Sequence, residues 1–142
     1  MEKFEVPNSV LIVSDYFERF EFIQYHVIRQ FMSPVWYSNI LAARKAIRID
    51  AFSIVIIDLS LPLESKLKLA KEVCLYQPDT IVITIGKTKY LEISDVFASF
   101  PLIDHMDSIY WLPDRLKVFA KNGVDFENMA TNAYGFSHQS LH

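Results

Sequence analysis

Phe52-Ser53-Ile54-Val55-Ile56-Ile57-Asp58-Leu59-Ser60-Leu61-Pro62 is the stretch that decides the fold. Four consecutive β-branched residues run directly into an acid, and a proline follows four positions later. A short, wholly apolar run of this kind suits a strand buried on both faces, as in a parallel sheet covered by helices. The acid then stands at the carboxyl end of the strand, where open α/β sheets bind their ligands.

Outward from this strand the chain alternates. Ser9–Ser14 is a second buried-strand run, followed by Asp15. Tyr16, Phe20, Ile23, Val27 and Phe31 then recur at three- and four-residue spacing, one face of a helix that Ser33-Pro34 should end. Glu18, Arg19, Glu21 and Arg29 fall on its other sides, and Asp15 stands at or just before its N-cap. Val35-Trp36-Tyr37 reads as a short strand, and Ser38 or Asn39 can cap a helix over Ile40–Ile49. After the Ile54 strand comes a helix over Glu64–Tyr76, with Lys66, Lys68 and Lys71 expected outward. Thr80–Ile85 is a strand broken by Gly86, and Leu91–Phe100 is a helix ended by Pro101. Ile109–Leu112 reads as the last strand, and Pro113-Asp114 opens a helix carrying Leu116, Phe119 and Ala120. Residues 1–122 form one domain in this reading, and 123–142 are a tail or the start of a linker.

Five strands alternating with five helices imply βαβ units and a doubly wound five-stranded parallel sheet. In the flavodoxin-like order 2-1-3-4-5 the switch point lies between the first and third strands. Asp15 and Asp58 should therefore meet in one crevice.

Composition narrows the functional classes. With 51% hydrophobic residues the chain is globular, and its net charge of −3 speaks against a nucleic-acid surface. The lone cysteine, Cys74, excludes an internal disulfide and reads as a buried structural thiol; a cytoplasmic setting is the default. The longest apolar runs are strand-sized, so no membrane span is expected. Three unclustered glycines argue against a phosphate-cradling loop, and hence against a nucleotide- or flavin-binding enzyme. His26 and His105 stand apart from any metal-ligand cluster and read as solvated or singly bonded. Phe17, Phe20, Phe22 and Phe31 read as core and interface packing, and Trp36 and Tyr37 as edge-strand packing.

These residues resemble the receiver domain of two-component response regulators, the CheY-like superfamily. The resemblance spans about Val10 to Lys121 and is carried by Val10-Leu11-Ile12-Val13-Ser14-Asp15 and Asp58-Leu59-Ser60-Leu61-Pro62. It implies Asp58 as a phosphoacceptor, forming an acyl phosphate. It also implies magnesium held by Asp15, Asp58 and the backbone carbonyl of Ser60. Three positions depart from the family pattern. Ser14 replaces an acid, Gly86 stands where a Thr or Ser hydroxyl is usual, and Leu112 precedes Pro113 where a Lys is usual. Weak Mg2+ binding and a missing counter-charge follow; Lys66 and Lys87 are the candidate substitutes. The chain is thus expected to be an atypical or pseudo-receiver, not an enzyme. It would act through contact with a sensor kinase or other signalling protein, in the setting of a transcription regulator. The alternative is a conventional receiver phosphorylated on Asp58 with Mg2+. Contacts, including homodimerisation, would use the face of the fourth helix, fifth strand and fifth helix: Val96, Phe97, Ile109, Tyr110, Trp111, Lys117 and Phe119.

Overall fold

The computed structural model describes residues 8–87 and 99–122. The elements run β1 (Ser9–Ser14), α1 (Phe17–Arg29), β2 (Ser33–Tyr37), α2 (Ile40–Ile49), β3 (Ile54–Asp58), α3 (Leu63–Tyr76), β4 (Ile81–Ile85) and β5 (Ile103–Met106). A 3-10 turn (Ile109–Trp111) and a C-terminal helix (Leu112–Asn122) follow. The helix expected over Leu91–Phe100 falls almost wholly outside the described residues, as does the tail beyond 122. All five strands are parallel, in the order β2-β1-β3-β4-β5. The sheet is the flavodoxin-like one expected from the alternation. No helix among the described residues is long and apolar enough to cross a membrane.

The two-residue period of a strand divides the core into two layers. Leu11, Val13, Val55, Ile57, Val82 and Ile103 face α2 and α3, where Ala43, Ile47, Leu67, Ala70 and Val73 pack on them. Val10, Ile12, Ile54, Ile56, Ile81 and Ile83 face the other way, under Phe20, Ile23 and Val27 of α1 and Leu112, Leu116 and Phe119 of the C-terminal helix. β3 is buried at every position because both of its faces are covered. β2 is the partly exposed edge, and only there can the strand accommodate Pro34, which has no N–H.

Two boundaries differ from the expected ones. α1 stops at Arg29, not near Ser33-Pro34, because the chain turns at Phe31 with φ of 60°. The Phe31 N–H donates to the Ile28 carbonyl (2.9 Å) and the Met32 N–H to that of Val27 (3.3 Å), a Schellman closure. Phe31 is therefore 89% exposed and contributes nothing to the helix face. A side chain in left-handed geometry is strained. Phe31→Gly is expected to raise stability by about 0.5–1 kcal/mol in urea unfolding, since glycine is the natural residue at this cap.

The larger difference is the last strand. β5 is Ile103-Asp104-His105-Met106, and Ile109–Trp111, expected in a strand, forms the 3-10 turn. Asp104 and His105 do not interrupt the strand because each finds a partner inside the fold. Asp104 pairs with Arg115 of the C-terminal helix, and His105 bonds Thr84 of β4. Ser108 then caps the 3-10 turn, its hydroxyl accepting from the Tyr110 N–H at 3.2 Å.

Candidate functional site

The site is built where β1 and β3 end. Ser14 pairs in register with Asp58, so the loops after the two strands leave the sheet side by side. The crevice between them brings together Asp15 and Asp58, as the strand order requires.

Asp58 continues the parity of Ile54 and Ile56 and so lies on the α1 side of the sheet. Its side chain is almost fully buried. Both carboxylate oxygens are taken by Arg19, from the first turns of α1: Nε donates to Oδ2 and Nη2 to Oδ1, each at 2.7 Å. This is the two-pronged pairing that a planar guanidinium makes with a carboxylate. The hydrogen bond to Asp58 holds the Arg19 pKa above its ordinary value, with burial acting in the opposite direction. The spacing places Arg19 on an outer face of the helix; the structure turns it over the crevice.

Asp15 does not cap α1. The N-cap position is Tyr16, without a side-chain cap bond. The Asp15 carboxylate instead accepts from the Ser60 N–H (3.1 and 3.2 Å) and the Ser60 hydroxyl (3.3 Å), tying the β1 loop to the β3 loop. Ser14 is fully buried, and its hydroxyl donates to the Tyr16 carbonyl at 3.3 Å. Its own carbonyl accepts from Trp36 Nε1 at 2.8 Å, and the Trp36 ring stacks on Phe20 at 4.1 Å. Ser14 thus fixes the β1 end against the β2 edge.

Lys66, expected outward, is buried. α3 begins at Leu63, so Lys66 stands in its first turn, and its long stem carries the ammonium to the end of β4. Its ammonium donates to the Ile85 carbonyl at 2.9 Å. Burial pushes its pKa down, the negative charge of Asp58 opposes that, and Arg19 adds to the lowering. Gly86 is shaped to this arrangement: a Cβ there would collide with the Lys66 ammonium, and its φ of +153° is itself unfavourable for other residues. Gly86 therefore marks the space the Lys66 ammonium occupies.

Thr84 lies on the opposite side of the sheet from Asp58, in the α3 layer. Its hydroxyl meets His105 Nδ1 at 2.7 Å, and His105 Nε2 meets the Gly86 carbonyl at 2.7 Å. A carbonyl only accepts, so Nε2 carries the proton and Nδ1 accepts from Thr84. His105 is thus buried, neutral and bonded at both nitrogens, unlike the solvated or singly bonded group expected.

With β5 at Ile103–Met106, the residue that follows the fifth strand is Asp107, and Leu112 is not the family's Lys position. Leu112 opens the C-terminal helix and is fully buried in the α1 layer. Of the expected contact face, Phe119 is buried in that same layer and presents nothing to a partner. Tyr110 (81%) and Trp111 (48%) are exposed, Ile109 packs partly against the core, and Lys117 is exposed. Val96 and Phe97 lie outside the described residues. An open cleft joins Arg19 to Phe22, Asp107, Ile109 and Tyr110, so the crevice and the exposed aromatic group are neighbours.

Magnesium does not fit these residues as they stand. Both Asp58 oxygens already accept guanidinium hydrogens, and Asp15 is engaged by Ser60. Ser14 supplies no charge, and no group of three or more His, Cys, Asp or Glu able to hold a metal occurs among the described residues.

No protein-family model matches the chain, and no curated protein does. Solved structures do. A CheY-like response regulator receiver domain protein from Methanospirillum hungatei JF-1 aligns over 84% of this chain and 100% of its own, with TM-score 0.63 and 15% identity. A response regulator receiver protein from Sinorhizobium medicae WSM419 aligns over 85% and 98%, with TM-score 0.61 and 14% identity. A structure described as an adenylate cyclase from Rhodopirellula baltica aligns over 82% and 89%, with TM-score 0.64 and 12% identity. The chain has the response-regulator receiver fold.

Proposed function

We propose that this chain is a pseudo-receiver, a signalling module that keeps the receiver fold and acts by protein–protein contact without cycling through phosphorylation of Asp58. The observation that carries this reading is the Arg19 fork, which occupies both oxygens of the would-be nucleophile. A guanidinium that grips both oxygens neutralises the carboxylate and lies across its face, so Asp58 would have to shed Arg19 before it could meet an incoming phosphoryl group in line. The substitution of Ser14 for an acid, and the ammonium in the Gly86 space, support the same conclusion. Contact would use the exposed Tyr110, Trp111 and Lys117, beside the Arg19 cleft. Aromatic groups left uncovered in this way favour association with a signalling partner or with a second copy. The chain would serve as the regulatory part of a cytoplasmic regulator, including a transcription regulator.

Incubation with acetyl phosphate and Mg2+, read by intact mass, tests the reading. We expect no phosphoryl adduct. An adduct on the wild type that disappears in Asp58→Asn would overturn the proposal in favour of a conventional receiver.

A further inference from the structure

We propose that Arg19 and Lys66 are resident counter-cations that take the place of a divalent metal in the acid crevice, and that Arg19 is the group that closes it. This rests on the pseudo-receiver reading but specifies how the crevice is held. The charges balance without an ion: Asp15 and Asp58 supply two negative charges, Arg19 and Lys66 two positive ones. A divalent cation entering this neutral set would meet two fixed positive charges, and it would first have to strip the guanidinium from Asp58.

Two independent features show a built arrangement. On the α1 side, Arg19 grips Asp58 with both prongs at 2.7 Å. On the α3 side, Lys66 is anchored on the Ile85 carbonyl, and Gly86 has no side chain where a Cβ would collide with the ammonium. The two cations arrive from helices on opposite layers of the sheet and converge at the ends of β3 and β4. The Lys66 side chain is buried, and the Asp58 charge opposes the lowering of its pKa by burial. Arg19 is 42% exposed, so it is the cation that can leave without unpacking the core. Arg19 is therefore a positioning residue for Asp58.

The test is a Mg2+ titration of the whole chain by calorimetry, with tryptophan fluorescence as a second readout, because Trp36 is bonded to the Ser14 carbonyl at the rim of the crevice. The wild type is expected not to bind Mg2+ at millimolar concentration. Arg19→Gln is expected to bind it, gaining on the order of tenfold or more in affinity from removal of one unit charge a few ångströms away. Arg19→Gln combined with Asp58→Asn should lose that gain. Arg19→Lys keeps the charge while losing the fork and should remain closed to the metal, an outcome a merely structural role for Arg19 does not predict. Lys66→Met provides a second route to an opened crevice if Arg19→Gln folds poorly. Binding by the wild type, or no gain in either neutral variant, would overturn the inference. Those outcomes leave the pseudo-receiver reading intact, whereas phosphoryl acceptance on wild-type Asp58 sinks that reading whatever the metal titrations give.

Discussion

Replacing Asp104 with alanine is expected to destabilise the fold by about 3–5 kcal/mol, the cost of removing one member of a buried ion pair. Asp104 on β5 is fully buried, and Arg115 on the C-terminal helix is 2% exposed. Arg115 Nη1 pairs with Asp104 Oδ2 between the sheet and the helix. Around them lie Ile83, in register with Asp104, and the apolar Met106, Leu112, Leu116 and Phe119. Burial pushes the Arg115 pKa down, to about 9, but leaves it charged at neutral pH. Without Asp104, the guanidinium would stay in an apolar layer but lose the carboxylate that meets it from β5. A loss of this size is a large fraction of the 5–15 kcal/mol that typically holds a domain. Urea unfolding measures it directly. The double replacement Asp104→Leu with Arg115→Met should recover most of the loss, because removing both charges removes the desolvation cost along with the attraction. If the single variant loses less than about 1 kcal/mol, the pair is not desolvated as the structure has it.

The same pair explains why part of the fold was hidden in the sequence. β1, β3 and β4 are legible because both faces of each are covered by helices, which leaves near-continuous apolar runs ending at Ser14, Asp58 and Ile85. β5 is equally buried, but its two middle residues are an acid and a histidine. Their partners, Arg115 and Thr84, stand 11 and 21 positions away, so no local window can show that the polar groups are satisfied. Ile109-Tyr110-Trp111 carries the β-rich composition of a strand but forms the turn onto the C-terminal helix, with Tyr110 turned to solvent. Misplacing β5 moved the expected Lys position to Leu112, a core residue of the next helix.

The site divides in the same way. The meeting of Asp15 and Asp58 follows from strand order, a topological property that the alternation of elements reveals. The cations do not follow from it. Arg19 lies four residues beyond Asp15, one helical turn above the crevice, which is the one signal that could have found it. Lys66 lies among Lys68 and Lys71 and is distinguished from them only by the placement of the first turn of α3 over the sheet. Gly86 read as a lost hydroxyl; only the three-dimensional arrangement shows that it is the room Lys66 needs.

Acidification should weaken the fold through His105, with the loss beginning as pH falls through about 6.5, the ordinary histidine value. Burial lowers the His105 pKa, its largest cause; the bond to Gly86 and the nearby Asp107 oppose this, and Lys66 reinforces it. At pH 7.5 the imidazole is neutral in folded and unfolded chains alike, so it costs nothing. Below about 6.5 the unfolded chain takes up a proton that the folded one resists, so the unfolded state binds more protons and stability falls with pH. The loss is complete once pH drops below the folded value. The groups facing the ring account for that resistance. Thr84 must accept at Nδ1 if that nitrogen is protonated and the Lys66 charge is near, while the Gly86 carbonyl and Asp107, 3.7 Å from Nε2, favour the cation. His26 also has a lowered pKa, mainly from burial but also from Arg29 and Lys117, so His26→Gln serves as the control that removes its share of the slope. His105→Phe should abolish the slope that remains near pH 6 and, at pH 7.5, cost about 2–3 kcal/mol, because it leaves the Thr84 hydroxyl and the Gly86 carbonyl without partners. Unfolding free energies measured from pH 7.5 to 5 for the wild type and both variants decide the matter. A wild-type slope that survives His105→Phe would place the acid sensitivity elsewhere. A slope that vanishes with it would identify the Thr84–His105–Gly86 chain, which joins the ends of β4 and β5 beside the Lys66 anchor, as the pH-sensitive support of the crevice.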